Sequence, residues 1–181
     1  MTDTALFRAG ALIFGLSGAV NLVADLLPGR VWWNLAGVAA GLLGLATVWL
    51  WQRRQAGWAG AAGYGLAMLG LTGIAGFLFA DAAILPYLAP DVAAALFDGP
   101  TGLAIFAAVI LYTLGLLVFV GASLAAGVYP RPALALWALG VLPTPFALAL
   151  PPPVMTGAEI VTSIGILWVC MVLWRLAGRA V

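Results

Sequence analysis

The length of its apolar stretches constrains this sequence more than any other feature. Six of them, at about 5–28, 31–52, 57–85, 101–126, 133–150 and 157–176, carry few charges or none. Runs of this length exceed what a core helix needs; about 18 consecutive apolar residues suffice to cross the hydrocarbon layer of a bilayer. Composition points the same way. Of 181 residues 7 are basic and 6 acidic, and 65% are apolar, whereas a soluble domain carries roughly 25% charged residues. So few charges cannot cover a water-soluble surface. The sequence therefore predicts an all-α integral membrane protein, a six-transmembrane-helix bundle forming a single transmembrane domain over 1–181. The first stretch has the outline of a signal peptide, with Arg8 ahead of an apolar run. Its length, and the presence of Asn21 and Asp25 within it, mark it instead as the first membrane helix.

Turn chemistry separates the stretches: Pro28-Gly29, the polar run Gln52-Arg53-Arg54-Gln55, Pro86 to Pro100, Pro130-Arg131-Pro132 and Pro151-Pro152-Pro153. Arginine placement sets the orientation. With the N-terminus inside, the cytoplasmic segments hold Arg8, Arg53, Arg54, Arg131, Arg175 and Arg179, and the outer segments hold Arg30 alone. That bias predicts an inner (plasma) membrane protein of bacterial type with both termini cytoplasmic. Asp25, Asp81, Asp91, Asp98 and Glu159 sort to the outer side. Trp32 and Trp33 fall at an outer helix end, and Trp49, Trp51, Trp58 and Trp174 near the inner surface, as indole rings prefer.

Two segments are unusual. The stretch at 133–150 makes only about 27 Å of helix, barely a span, and Pro143-Thr144-Pro145 breaks it near its middle. It either spans or re-enters. Within the long outer loop, 91–98 reads as a short helix, apolar enough to lie in the interface. No internal repeat is evident.

Absences exclude chemistry. Without histidine there is no His-bound zinc, His-ligated haem or Ser-His pair, and without lysine no Schiff base. Cys170 is the only cysteine, so no internal disulfide or CxxC pair exists. No catalytic residue, metal ligand or cofactor is assigned. A net charge of +1 gives no reason to expect a nucleic-acid partner.

Candidate functional residues come in three groups. Ser17, Asn21 and Asp25 are spaced by four and share one helix face. Glu159 and Ser163 give the last stretch a counterpart, with Thr162 beside them and Cys170 further along. Asp81 closes the third stretch, and Arg30 and Asn34 begin the second, on the same side. An ionisable group in lipid costs about 2.5–3.5 kcal/mol at a helix centre, so such groups turn inward or toward water. Ser17, Asn21, Asp25, Arg30, Asp81, Glu159 and Ser163 are thus expected to form an outward-facing polar pocket for a small-molecule ligand. The competing reading makes the acids solvated groups at helix ends. The second group, the break at Pro143, Thr144 and Pro145, is either an ordinary kink or a place where freed backbone groups meet a ligand. The third is glycine. Gly37 and Gly41 in one stretch and Gly70 and Gly73 in the next give small faces for close helix packing, within the chain or against a lateral partner or second copy.

Three function classes follow: small-molecule binding or transport, an accessory subunit of a larger membrane complex, and, least supported, an intramembrane lipid-acting enzyme using the outer carboxylates. In helix number, length and placement of ends, the expected topology resembles the substrate-capturing subunits of energy-coupling-factor vitamin transporters. That resemblance is one of topology and assigns no residue.

Overall fold

The structure, a computed structural model, describes residues 3–24, 29–147 and 149–179. Among these the chain is all-helical, with α1 Asp3–Val23, α2 Arg30–Ala83, α3 Pro90–Phe97, α4 Pro100–Ala126, α5 Arg131–Val141 and α6 Pro152–Arg179. Short 3-10 turns at Leu85–Tyr87 and Thr144–Phe146 follow α2 and α5. Four stretches are long and apolar enough to cross a membrane: Thr4–Val23, Arg30–Tyr87, Pro100–Ala126 and Pro152–Arg179.

The longest of these is not one rod. Leu71 approaches to 3.8 Å from where a Cβ on Gly41 would stand, yet residues 30 apart in a continuous helix lie about 45 Å apart. Trp49 likewise stacks on Tyr64, with ring centroids 5.7 Å apart. The helix folds back at Gly57, whose φ of 58° and ψ of −155° are not helical. The limbs 30–56 and 58–83 thus form a hairpin with a single-residue turn. The polar run Gln52-Arg53-Arg54-Gln55, expected to end the second stretch, instead continues the helix to the turn. Nothing about an arginine pair stops a helix, whereas that Gly57 conformation is open in practice only to glycine. Gly57→Ala meets no neighbouring atom within 4 Å, so its cost is backbone strain alone, about 1–3 kcal/mol. At roughly 2–4 °C per kcal/mol, the melting temperature of the purified protein should fall by several degrees. An unchanged value would mean that the turn is made elsewhere.

Contacts at the glycines give the order of the remaining helices. Gly44 packs on Phe14 and Gly37 on Asn21, so α1 runs antiparallel to the first limb. Gly63 meets Phe119 and Gly70 meets Tyr112, so the second limb runs antiparallel to α4. Gly165 meets Trp137 and Gly140 meets Thr162, which sets α5 against α6. Gly18 lies on Ile166 and Arg8 on Gly178, returning α6 to α1. The start of α1 and the end of α6 therefore lie at one end of the bundle, where the Arg8 guanidinium sits 5.2 Å from the centre of the Trp174 ring.

The core lies between these layers. Phe14, Leu45, Val48, Leu116, Phe119, Leu134, Trp137, Val169 and Leu173 are all buried. Trp137 is its centre, 5.3 Å from the Phe14 ring and 6.2 Å from Phe119. Nearer the end that holds the start of α1, buried Gln52 donates through Nε2 to Ser123 Oγ at 2.5 Å, and Ser123 donates to the Phe119 carbonyl at 2.8 Å. This chain of bonds ties the hairpin turn to the end of α4.

Two boundaries differ from the expected stretches because of proline. The stretch at 133–150 is an α-helix of only 11 residues. Leu142 still donates to the Ala138 carbonyl at 3.2 Å, but Pro143 and Pro145 have no N–H to continue the ladder. The chain tightens into the 3-10 turn, where Phe146 donates to the Pro143 carbonyl at 2.9 Å. Conversely, the Pro151-Pro152-Pro153 break contributes its last two prolines to α6, because the first turn of a helix needs no proline N–H. The short helix expected at 91–98 is α3.

Candidate functional site

The polar stripe of α1 and the glycine face of α2 are two halves of one interface. Ser17 Oγ donates to the Gly37 carbonyl at 2.7 Å and lies 3.2 Å from where a Gly41 Cβ would stand. Asn21 Oδ1 lies 2.5 Å from the corresponding position on Gly37. The two glycines leave room for two polar side chains at the same spacing of four, so polar groups enter the bundle without separating the helices.

These side chains form one wall of a cavity of about 240 Å³. The remaining walls come from every long helix. Asn34 enters from the start of α2, Leu71, Ile74 and Leu78 from its second limb, and Tyr112 and Leu116 from α4. Trp137, Gly140, Val141 and Thr144 come from α5 and the turn after it, and Met155, Ala158, Glu159, Thr162 and Ile166 from α6. The cavity is chemically graded. Asn21, Asn34 and Glu159 lie where α1 ends and where α2 and α6 begin. Phe14, Tyr112 and Trp137 lie deeper, toward mid-helix. A carboxylate and two carboxamides thus stand at one end of an aromatic chamber.

Three expected members of this group line the cavity: Ser17, Asn21 and Glu159. Thr144, at the centre of the proline break, lines it as well, in a 3-10 turn that packs against α4. Arg30 and Asp81 do not line it, although they lie at the same end of the bundle. Asp25 falls outside the described residues. Ser163 is fully buried at the contact between α1 and α6, where its carbonyl faces Gly18, and it is not part of the lining. Its Oγ has no hydrogen-bond partner. A buried hydroxyl without a partner is destabilising, so Ser163→Ala should raise stability by up to about 1 kcal/mol. Thermal unfolding reads this directly, and a clear loss of stability would show that the hydroxyl has a partner after all.

Gly37, Gly41 and Gly70 are buried inside the chain, against α1, the hairpin or α4, and Gly73 adjoins Ala108 of α4 while remaining exposed. Cys170 is buried beside Gly15 of α1, away from the cavity. Among the described residues, no three acidic or cysteine side chains gather in a way that could hold a metal ion.

Sequence reasoning missed Phe14, Tyr112 and Trp137 as members of the site. One signal for Trp137 was available: it falls inside an apolar stretch, away from the helix ends where most of the other tryptophans lie. Its Nε1 is buried without a hydrogen-bond partner.

No family model, curated protein or solved structure matches this chain.

Proposed function

We propose that this chain is a multi-pass protein of a bacterial-type inner membrane that binds a small molecule in the cavity between its helices. In this reading the chain crosses six times: α1, the two limbs of α2, α4, α5 with its 3-10 extension, and α6. Arg8, Arg53, Arg54, Arg131, Arg175 and Arg179 lie at the end that holds the start of α1, which the positive-inside rule assigns to the cytoplasm. The cavity then opens toward the outer surface.

The observation that carries the binding reading is the convergence of Asn21, Asn34, Thr144, Glu159 and Thr162, from four elements, on one cavity floored by Phe14, Tyr112 and Trp137. A few placed polar groups over an aromatic and aliphatic lining are the usual composition of a small-molecule site. The ligand that suits it is small, with an amine or hydroxyl for Glu159 and an apolar or cationic face for the rings. Carriage of that ligand across the membrane is the activity such a site would serve.

Two other readings draw less support. An accessory subunit would dock laterally through its small-residue faces, but three of the four glycines that suggest it, Gly37, Gly41 and Gly70, are buried within the chain. A lipid-acting enzyme would need the carboxylates together, and Asp81 does not line the cavity that Glu159 lines.

Native mass spectrometry of the protein, extracted gently from its host membrane, tests the proposal. A bound molecule of a few hundred daltons or less is the expected result. A stoichiometric protein partner with no small molecule would overturn it in favour of the accessory reading.

A further inference from the structure

A second recess, of about 470 Å³, lies on the outside of the bundle between α1 and α6. Ala11, Gly15 and Ala19, spaced by four along α1, form its shallow wall, and Leu167 and Met171 of α6 form the other. One end is closed by Trp174 and Arg175. From Ala11 to Ala19 the helix rises about 12 Å at about 1.5 Å per residue, close to one leaflet, which is half of a hydrocarbon layer of about 30 Å. The recess is therefore one acyl chain deep and apolar along its length. Its end is basic. Arg8 lies against the Trp174 ring, Arg175 lines the mouth, and Arg179 follows one turn later. Of the acids on the described helices, only Asp3 belongs to this end of the bundle.

We infer that this groove holds one anionic glycerophospholipid of the cytoplasmic leaflet, its acyl chain along Ala11, Gly15 and Ala19 and its phosphate at Arg175 and Arg8. The complementarity is of both depth and charge. A tryptophan at headgroup level with arginines beside it matches the interfacial residues of membrane helices, and basic recesses between such helices on the cytoplasmic side suit acidic headgroups. The inference rests on the membrane placement proposed above and is independent of the polar cavity.

The test uses purified full-length protein in detergent micelles, dosed with equal amounts of phosphatidylglycerol and phosphatidylcholine of the same chain length. Native mass spectrometry then counts the lipids that survive detergent removal. The wild type should retain one phosphatidylglycerol in preference to phosphatidylcholine. Arg175→Gln should lower that retention about five-fold, and Ala19→Trp, which fills an exposed part of the groove, should lower retention of both lipids. Equal retention of the two lipids by the wild type, or unchanged phosphatidylglycerol in both variants, would overturn the site. Failure of the membrane placement looks different: the protein would stay monodisperse in water without detergent and would not float with vesicles.

Discussion

A single methyl group at Gly70 should come close to dismantling the pairing of α2 with α4. A Cβ there would overlap the backbone nitrogen of Tyr112 and lie 2.5 Å from the Ala108 carbonyl oxygen. Both obstacles are backbone, which cannot rotate aside as a side chain can. The same interface repeats this closeness at Gly63, where a Cβ would stand 2.9 Å from the Gly115 carbonyl oxygen, and reciprocally at Gly115, where it would overlap the backbone of Ala67. Adding an atom therefore means separating two helices along their length. Overpacking costs about 1–3 kcal/mol where neighbours can adjust; here about 3 kcal/mol or more is expected. At roughly 2–4 °C per kcal/mol, the melting temperature should drop by about 6 °C at the least. Gly65→Ala and Gly76→Ala are the controls. Neither position has an atom within 4 Å to meet a Cβ, so both should be neutral or gain up to about 1 kcal/mol of helix propensity. The readout is thermal unfolding of the three variants in one detergent. If Gly70→Ala melts with the controls, the two helices do not meet backbone to backbone.

Glu159→Gln should remove most of the affinity for the cavity ligand while leaving the protein folded. The substitution keeps the shape and hydrogen-bonding reach of the side chain and deletes its charge. A hydrogen bond to a charged group contributes about 1.5–3 kcal/mol, so affinity for the co-purified molecule should fall about 10- to 150-fold. Ser17→Ala provides the contrast. Its hydroxyl is already committed to the Gly37 carbonyl at 2.7 Å, so its loss should lower stability by about 1 kcal/mol and leave affinity within about two-fold. Titration of both variants with the identified ligand separates a site from a structural polar cluster. Equal affinities for wild type and Glu159→Gln would sink the binding proposal, and an effect confined to Ser17→Ala would make the cluster purely structural.

Residue types alone made part of this site legible. Spacing by four placed Ser17 and Asn21 on one helix face, and the geometry of that face survives in the cavity wall. The same spacing grouped Glu159 with Ser163, but two residues on one broad face of α6 can meet different neighbours. Glu159 lines the cavity, whereas Ser163 lies where α6 packs against Gly18 of α1. The proline break was legible as a break. That it brings Thr144 to the cavity wall depends on how α5 docks, which no local pattern encodes. Phe14 and Trp137 read as ordinary apolar residues, and only the packing of α1, α4 and α5 around one ring makes them a floor.

By itself the sequence determined that the chain is helical, where its long apolar stretches lie, and that six of its seven arginines gather at one set of helix ends. These follow from properties summed along the chain: hydropathy, proline and glycine punctuation, and charge. Tertiary structure alone decided that α2 turns on Gly57 rather than at the arginine pair, because a one-residue turn depends on a backbone conformation that only its neighbours impose. It also decided which glycines face backbone and which face open space. A glycine contributes no side chain from which to read its partner, so its role is set by the helix that comes to lie against it.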